Sequence, residues 1–535
     1  MNGEPSRNLW RDHVLLLLLP AYLITAAFVL RSGAGPFWQW NLLDPAYFYL
    51  FDSLNLVVGN APGHVGHPGV PVYSLGALLI GLLHIGDPAD AIVAAVFADP
   101  EIPLRWMSTL FILLSGLATW GLGWIARRAF GTILPAVACQ TAPIVSTIIL
   151  KHLFVPRPES IIAFSTLLLL SVTVAALRPG TTESRPRTYG LAFGMIAGFG
   201  VATKLTFAPL CLLPLMLPGG RRVAIPYLVT AGLAFLVFML PAIGVWGDFV
   251  DWMTRVFLSS GAYDSGSGLI IDPQAYSKAF MKILKRPSLR VPMALALVTL
   301  ALVYWRQRGG AEVDRREAQA LLALTATQLA QVIVVAKQPV AFYMIPSYML
   351  SALSVLLSAR LLWGAAAEKW DLRVSGHTIG AGVLIIAVSA QVAGTVRLNG
   401  LLTERAARAT SIDGDNFDRC ARVYICSASH PAYAMSLADR VTGFKHTDRL
   451  KTVINPDDFW IDDWNQKRPP VLRNSEGPTA VSTLRQAYPC IFFRGNRVSA
   501  LPKFLAREAP DLDYAKTCST GDEPVLTAGV DCRGR

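Results

Sequence analysis

The chain has 535 residues, of which 53% are hydrophobic and only 16% are charged, and its formal net charge at pH 7 is +12. A soluble protein of this size could not bury so much apolar surface in one core, and the apolar residues come in runs of about twenty, the length of a membrane-spanning helix. No nucleic-acid-binding motif accompanies the excess of Lys and Arg, which is typical of cytoplasmic loops that face anionic lipid headgroups. The composition therefore predicts an integral membrane protein built of helices, because barrel-type alternation is absent.

About eleven apolar segments are predicted to cross the membrane as helices. The first segment, Val14–Leu30, is long enough to span the membrane, and no clear cleavage site follows it. It is therefore predicted to be a retained N-terminal helix and not a signal sequence. In chain order the predicted spans are Val14–Leu30, Trp106–Ile125, Ile133–Leu150, Ser160–Leu177, Tyr189–Thr203, Leu205–Leu217, Val223–Val245, Val291–Trp305, Ala320–Ala336, Tyr343–Ala359 and His377–Val396.

The distribution of arginine and lysine predicts the topology. Basic loops such as Arg127-Arg128 and Arg221-Arg222 follow alternate spans, whereas residues 32–104 contain no Lys or Arg. By the positive-inside rule the basic loops are cytoplasmic and residues 32–104 are external. The extra apolar stretch Val70–Ile85 is then predicted to lie in the outer interface, because counting it as a span would invert every later loop. The N-terminus is predicted to be cytoplasmic and the C-terminal part external.

Two domains are predicted. Residues 1–396 form the transmembrane domain, with long external loops at residues 32–104 and 247–287, and the Gly/Ser-rich middle of the second loop predicts mobility. Residues 397–535 form a small external α/β domain, with strands in Ala421–Cys426 and Ile491–Phe493 and helices in Pro431–Val441 and Leu501–Arg507. Within this tail, the acidic and aromatic segment Asp457–Trp464 predicts a solvated loop with buried tryptophan anchors.

The seven cysteines divide by location. Cys139 and Cys211 fall in apolar spans and are predicted to be small core residues. The five others lie in the tail without zinc-type spacing, so disulfides are expected there if the tail is external, with one thiol left over. These five are Cys420, Cys426, Cys490, Cys518 and Cys532.

Asp44 is the candidate general base in the first external loop, which also carries Asp52, His64 and His67. A carboxylate at a water–lipid boundary is partly desolvated, which raises its basicity and suits it to proton abstraction. The simpler alternative, which the residue alone favours, is that Asp44 caps a short helix beginning at Pro45.

Several cations lie at outer ends of spans, where the charge rule does not expect them. A phosphate ligand would explain them, and Glu159 could orient Arg157 or contact substrate. The alternative for each is snorkelling of a long side chain to the interface, and it is weakest for Lys204, which lies between two spans with almost no loop. The candidate anion-binding residues are Lys151, Arg157, Lys204 and Lys337.

Six short motifs in order resemble those of the GT-C superfamily of polytopic glycosyltransferases, especially the branch of protein O-mannosyltransferases and lipid A aminoarabinose or galacturonic acid transferases. Two departures stand out: Pro45 replaces a second acid, and Phe342 replaces a late arginine. The motifs here are Asp44-Pro45-Ala46-Tyr47-Phe48-Tyr49, His67-Pro68-Gly69-Val70-Pro71, Arg105-Trp106-Met107-Ser108, Arg157-Pro158-Glu159, Gly200-Val201-Ala202-Thr203-Lys204 and Phe342-Tyr343-Met344-Ile345-Pro346.

The resemblance implies a GT-C-like all-α membrane fold and inverting transfer of a sugar from a polyprenyl-phosphate donor. The acceptor would be an envelope component on the external face: lipid A or lipopolysaccharide, another glycolipid, a polysaccharide or a protein. Asp44 would be the base and no cofactor is required, although a divalent metal is compatible with the superfamily. A bacterial inner membrane with a periplasmic tail is expected. The residues implied for donor binding are Lys204, Arg157, Lys151, Lys337, His67, Glu159 and Tyr343.

Two other classes of function remain open on the sequence. A polytopic transporter or lipid flippase would show substrate counterflow without a covalent product. A non-catalytic scaffold would lose partner binding on deletion of residues 397–535. The odd number of spans, the absence of visible repeats and the carboxylate-rich first external loop argue against the transporter.

Overall fold

The computed structural model describes residues 9–39, 45–66, 68–259, 270–369, 376–412, 417–425, 428–462, 471–495, 501–514 and 525–530. The chain forms two compact units. The first comprises Met1–Leu30, Val65–Ser74 and Ser108–Leu398, and the second comprises Arg31–His64, Leu75–Met107 and Asn399–Arg535.

Before the tail, the described chain consists of α-helices joined by turns and short 3-10 segments. Helices are expected in lipid, because each one satisfies the hydrogen bonds of its own backbone. In chain order they are α1 (Leu9–Ala34), α2 (Ala46–Val57), α3 (Val70–Leu83), α4 (Ala89–Ala98), α5 (Glu101–Phe130), α6 (Ile133–Gln140), α7 (Thr147–Leu153), α8 (Pro158–Ala176), α9 (Thr181–Ser184), α10 (Pro186–Thr203), α11 (Leu212–Met216), α12 (Gly220–Met239), α13 (Trp246–Leu258), α14 (Pro273–Leu284), α15 (Pro287–Arg308), α16 (Arg315–Val335), α17 (Ile345–Lys369) and α18 (Gly376–Ile412).

Eight helical stretches of the described chain are long and apolar enough to cross a membrane, and they contain α1, α5, α8, α12, α15, α16, α17 and α18. Eight of the eleven predicted spans overlap these stretches, whereas those predicted at Ile133–Leu150, Tyr189–Thr203 and Leu205–Leu217 are not among them. The span predicted at Ile133–Leu150 is broken by a 3-10 turn at Ala142–Ile144, and the one at Leu205–Leu217 begins as a 3-10 helix, Leu205–Cys211. The 14 residues of α3 extend about 21 Å, which is shorter than a hydrocarbon core of about 30 Å, so α3 is not a span.

Burial separates the centre of the first unit from its lipid-facing rim. The apolar windows of α8 and of the α17 region are each 78% buried, whereas that of α18 is 6% buried. Because lipid tails are as apolar as leucine, exposed Leu and Ile on α12 and α18 need no protein partner in a membrane.

A stripe of glycines lets α10 and α12 approach closely. Gly190, Gly194 and Gly198 lie one turn apart on α10, and an added Cβ at Gly194 would lie 2.5 Å from Cβ of Thr230 and 2.8 Å from the carbonyl oxygen of Tyr227. Spacing of small residues at every fourth position is how membrane helices pack backbone to backbone.

Gly194→Val is expected to destabilise the first unit by about 1–3 kcal/mol, because the added methyl groups force α10 and α12 apart. The measurement is the thermal midpoint and the monodisperse yield of the purified protein in detergent. Gly232→Val is the matched control, since a Cβ on this α12 glycine meets no atom within 4 Å. Equal loss in both variants would contradict the proposed contact.

The tail contains a five-stranded sheet with order β3-β2-β1-β4-β5. The inner strands β1, β2 and β4 are parallel, with Val423 paired to Phe459 on one side and to Phe493 on the other, while β3 and β5 add antiparallel edges. Apolar residues of these strands form a core with the tail helices. The elements are β1 (Ala421–Ile425), α19 (Pro431–Val441), α20 (Thr447–Leu450), β2 (Asp458–Asp462), β3 (Val471–Arg473), α21 (Val481–Ala487), β4 (Ile491–Arg494), α22 (Leu501–Glu508) and β5 (Val525–Ala528).

A disulfide joins Cys420 to Cys490 across 70 residues of the tail, and its sulfurs are buried beside Phe492. Cys139 and Cys211 are free, the first buried and the second half-buried. Cys426, Cys518 and Cys532 lie outside the described residues. A disulfide is typical of an oxidising compartment.

Three expectations about the tail and loops need adjustment. The domain boundary predicted at residue 396 stays a prediction; α18 continues across it to Ile412, and the second compact unit groups residues 31–64 and 75–107 with the tail. Residues Asp458–Asp462 form β2, an inner strand, so the predicted solvated loop there is wrong. The second loop contains the amphipathic helices α13 and α14, and its Gly/Ser-rich middle, residues 260–269, lies outside the described residues.

Candidate functional site

Arg157, Glu159 and Lys204 form a buried ionic cluster in the first unit. Lys204 Nζ lies 2.6 Å from Glu159 Oε1, and Arg157 Nε lies 3.3 Å from Glu159 Oε2. Their exposed fractions are 1% for Arg157, 4% for Glu159 and 2% for Lys204. The structure thus brings together three of the predicted site residues.

Local sequence explains how each charge reaches the cluster. Arg157 precedes a proline, which favours extended backbone, and Pro158 then begins α8 with Glu159 in its first turn. Ser160 Oγ donates to the carbonyl oxygen of Arg157 at 2.7 Å and fixes this turn. Lys204 lies in extended backbone where α10 ends and a 3-10 helix begins, so its side chain emerges at a helix break. A break at this point explains a lysine between two apolar segments.

The cluster carries an excess of one positive charge, because two cations share a single carboxylate. Burying an uncompensated charge costs several kcal/mol, so such a site favours an anion. Arg157 Nε and Nη2 are shielded from water, and neither makes a hydrogen bond to any described residue, since the 3.3 Å approach of Nε to Glu159 lacks hydrogen-bond geometry. A phosphate or carboxylate oxygen would satisfy these donors.

Aromatic rings line the cluster. Phe342 lies 5.1 Å from Arg157 Cζ and 5.7 Å from Lys204 Nζ, and the Tyr343 ring lies 4.4 Å from Lys204 Nζ. His152 packs on Phe342 with a centroid separation of 4.8 Å. Cation–π contacts partly offset the loss of water around the two cations. The position where the superfamily motif has arginine therefore holds a ring that supports the cations.

The motif at residues 67–71 meets the end of α10. Gly69 N donates to the carbonyl oxygen of Thr203 at 3.1 Å, and Pro68 forms a bridge with Lys204. Gly69 has a φ of +73°, a conformation that glycine adopts at no steric cost. His67 itself lies outside the described residues, so its predicted role stays a prediction.

The two other predicted anion ligands, Lys151 and Lys337, lie on elements other than those that carry Arg157, Glu159 and Lys204. Lys337 Nζ donates to the carbonyl oxygen of Phe257 at 2.8 Å, which ties α13 to the turn after α16, and partial burial lowers the pKa of Lys337. Lys151 is half-buried in the last turn of α7, next to His152. Their predicted phosphate contacts remain expectations.

In the second unit, Asp52 is fully buried and organises the loop that follows α2. Its Oδ1 accepts from Gly63 N at 2.7 Å and its Oδ2 accepts from His64 N at 3.0 Å. Asn55 Nδ2 donates to Asp52 Oδ1 at 3.2 Å, and His446 Nε2 lies 2.9 Å from Asn55 Oδ1. Burial raises the pKa of Asp52 to about 6 despite these donors. These hydrogen bonds make Asp52 a structural carboxylate. The candidate base Asp44 lies outside the described residues.

Asp52→Ala is expected to destabilise the loop by about 2–4 kcal/mol, because three donors lose their buried acceptor. Hydrogen exchange over residues 45–66 measures the loss of protection. Asp87→Ala is the control, since this exposed carboxylate pairs only with His84 three residues away. Unchanged exchange in Asp52→Ala would contradict the structural role.

No group of three or more His, Cys, Asp or Glu side chains that could hold a metal ion occurs among the residues whose placement is described. The predicted compatibility with a divalent metal therefore gains no support from these side chains.

No family model and no curated protein matches the chain. One similar solved structure is that of ArnT from Cupriavidus metallidurans bound to undecaprenyl phosphate. The two chains are 12% identical, with a TM-score of 0.51 over 98% of this chain and 99% of the other. The similarity extends over the whole length, so this chain has the GT-C-like fold, with its membrane helices and small C-terminal domain, that the motifs predicted.

Proposed function

We propose that this protein of GT-C fold is a membrane glycosyltransferase that moves a sugar from a polyprenyl-phosphate donor to an envelope acceptor. The observation that carries the proposal is the buried ionic cluster, with its excess positive charge and with two guanidinium nitrogens of Arg157 that have no acceptor among the described residues. The likeness to a structure bound to undecaprenyl phosphate supports the same ligand chemistry.

In the proposed reaction Arg157 and Lys204 hold the donor phosphate. Asp44 takes the proton of the acceptor hydroxyl while the acceptor oxygen bonds to the anomeric carbon and the carbon–oxygen bond to phosphate breaks. The electron pair of that bond leaves on the polyprenyl phosphate, whose negative charge the two cations stabilise. Attack opposite the leaving phosphate inverts the anomeric centre. Glu159 accepts a hydrogen bond from Lys204 Nζ at 2.6 Å and so orients the ammonium group.

We place the reaction at the external face of a bacterial inner membrane, with the tail in the periplasm. The Cys420–Cys490 disulfide suits an oxidising compartment. Lipid A or lipopolysaccharide, another glycolipid, a polysaccharide and a protein are the acceptor classes that the proposal covers. The second loop, through α13 and α14, is positioned by Lys337 and by Tyr276, whose hydroxyl donates to the carbonyl oxygen of Ile333 at 2.8 Å. It would shield the donor from water.

The test is donor-dependent transfer in proteoliposomes supplied with polyprenyl-phosphate sugar and envelope extracts. Arg157→Gln is expected to weaken donor binding by about 10²-fold, because a charge-assisted pair with phosphate is lost. Arg127→Gln is a control at the far end of the bundle, where Arg127 Nε pairs with Asp12 at 2.7 Å. Counterflow of intact substrate without a glycosylated product, or equal effects of the two substitutions, would reject the proposal.

A further inference from the structure

A cavity of about 1040 Å³ lies between helices α6, α15, α17 and α18 of the first unit. Its walls are mainly apolar, with Leu134, Val291, Val355 and Val388 among the side chains that face it. Protein interiors are close-packed, and a gap this large forfeits the dispersion contacts of every side chain around it. Within a bilayer the natural filling is hydrocarbon.

Hydrogen bonds between helices close one end of the cavity. Gln391 Nε2 donates to the carbonyl oxygen of Val145 at 3.5 Å, and Ser351 Oγ donates to that of Ser288 at 3.1 Å. Farther along α18, the Thr395 hydroxyl lies 2.8 Å from that of Tyr22. Together these contacts fix α18 and α15 to the bundle at the level of Gln391, and below that level α18 is separated from α15 and α17.

The other end of the cavity has a mouth of mixed charge. Among the side chains that the structure describes, three carboxylates and two guanidinium groups face it, and their formal charges sum to −1. Arg360 Nε pairs with Glu317 Oε1 at 2.7 Å, and Asp314 caps α16 by accepting from the amides of Arg316 and Glu317. The five charged side chains at the mouth are Arg306, Glu312, Asp314, Glu317 and Arg360.

The length of the cavity matches one leaflet. It follows α18 from Ile379 to Gln391, about 18 Å at 1.5 Å per residue, and half of a hydrocarbon core is about 15 Å. The mouth is remote from the buried ionic cluster, because Tyr343 lies just before α17 and Arg360 lies about 22 Å along that helix. A polyprenyl donor with its phosphate at Lys204 would enter from the opposite end of the bundle.

We infer that this cavity binds one phospholipid from the leaflet at the mouth, and that its headgroup carries both a phosphate and an ammonium. The acyl chains fill the apolar space and complete the packing of α18. Arg306 and Arg360 face the phosphate, while Glu312, which is exposed at the mouth, faces the ammonium. A purely anionic headgroup is disfavoured, since carboxylates outnumber guanidinium groups there. This site does not depend on the proposed transfer reaction.

The test is retention of lipid by protein reconstituted into vesicles of equal parts phosphatidylethanolamine and phosphatidylglycerol, re-extracted in mild detergent and weighed by native mass spectrometry. The wild type is expected to retain one phosphatidylethanolamine. Val388→Trp fills the cavity and is expected to lower the retained fraction about tenfold. Ile386→Trp is the matched control on the same helix, because Ile386 is 71% exposed and faces away from the cavity.

Glu312→Lys supplies a second arm, because it changes the charge of the mouth from −1 to +1 and is expected to exchange the retained lipid for phosphatidylglycerol. Preferential retention of phosphatidylglycerol by the wild type would overturn the headgroup assignment. Equal retention by Val388→Trp and Ile386→Trp would overturn the site itself. If the wild type retained polyprenyl phosphate and Val388→Trp did not, the cavity would bind the polyprenyl lipid, and its assignment to a phospholipid would be overturned.

Discussion

Asp44→Asn is expected to lower donor-dependent transfer by about 10²–10⁴-fold, the contribution of a well-placed general base. An asparagine side chain keeps the size of the carboxylate and its ability to cap a helix, but it cannot accept a proton near neutral pH. Donor affinity, measured without acceptor, is expected to stay unchanged because the phosphate is held by other residues. The measurement is the single-turnover rate at saturating donor.

A matched pair separates catalysis by Asp44 from its alternative role as a helix cap. Asp44→Ser retains a capping side chain and removes the base, so it should be as inactive as Asp44→Asn, whereas a pure capping role predicts that both variants are active. Asp44→Glu keeps a carboxylate and should retain measurable transfer. Full activity of Asp44→Asn would remove Asp44 as the base and leave the phosphate site untouched.

The fold was largely predictable because membrane constraints act locally. A run such as Val14–Leu30 must be helical in lipid whatever its neighbours are, and α1 confirms the helix. The tail strand predicted at Ile491–Phe493 is also observed, since an apolar run bounded by turns suits an inner strand. The prediction of a solvated loop at Asp457–Trp464 was wrong. The acidic residues there obscured the alternation of side chains that places Phe459 and Ile461 in the core.

Breaks within predicted spans could not be predicted from hydropathy. The segment Ile133–Leu150 is mainly apolar, yet Pro143 and the surrounding turn interrupt it. Likewise Pro209 lies in the 3-10 helix that begins after Lys204. Hydropathy measures the tendency to leave water, which a broken helix satisfies as well as a continuous one when protein surrounds it.

The candidate site was predictable in its parts and not in its arrangement. The charge rule identified Arg157 and Lys204 as cations on the wrong side, which required an explanation. The sequence could not indicate that Glu159 bridges them, because the bridge depends on how α8 packs beside α10. Nor could it indicate Phe342, which was noted only as the residue that replaces an arginine and which the structure places against both cations.

Lys204→Met is expected to abolish transfer and also to lower the folded yield, because it leaves Glu159 in a buried site with a weaker partner. Breaking one member of a buried pair costs about 3–5 kcal/mol, since the remaining charge is uncompensated. Yield is measured by size-exclusion chromatography of the detergent-solubilised protein, and function by transfer from polyprenyl-phosphate sugar. On this variant alone, loss of folding and loss of catalysis are confounded.

The double variant Lys204→Met with Glu159→Gln separates the two effects. Removing both charges relieves the buried carboxylate, so folded yield is expected to recover, as it does when a buried ion pair is replaced as a unit. Transfer is expected to stay at least about 10²-fold below wild type, because the leaving phosphate still lacks one of its two cations. Recovery of both yield and transfer would make Lys204 a purely structural partner of Glu159 and would leave Arg157 as the one phosphate ligand of the cluster. Recovery of yield without transfer separates the chemistry from the fold, because the two neutral side chains keep the packing and lose only the charge that the donor needs.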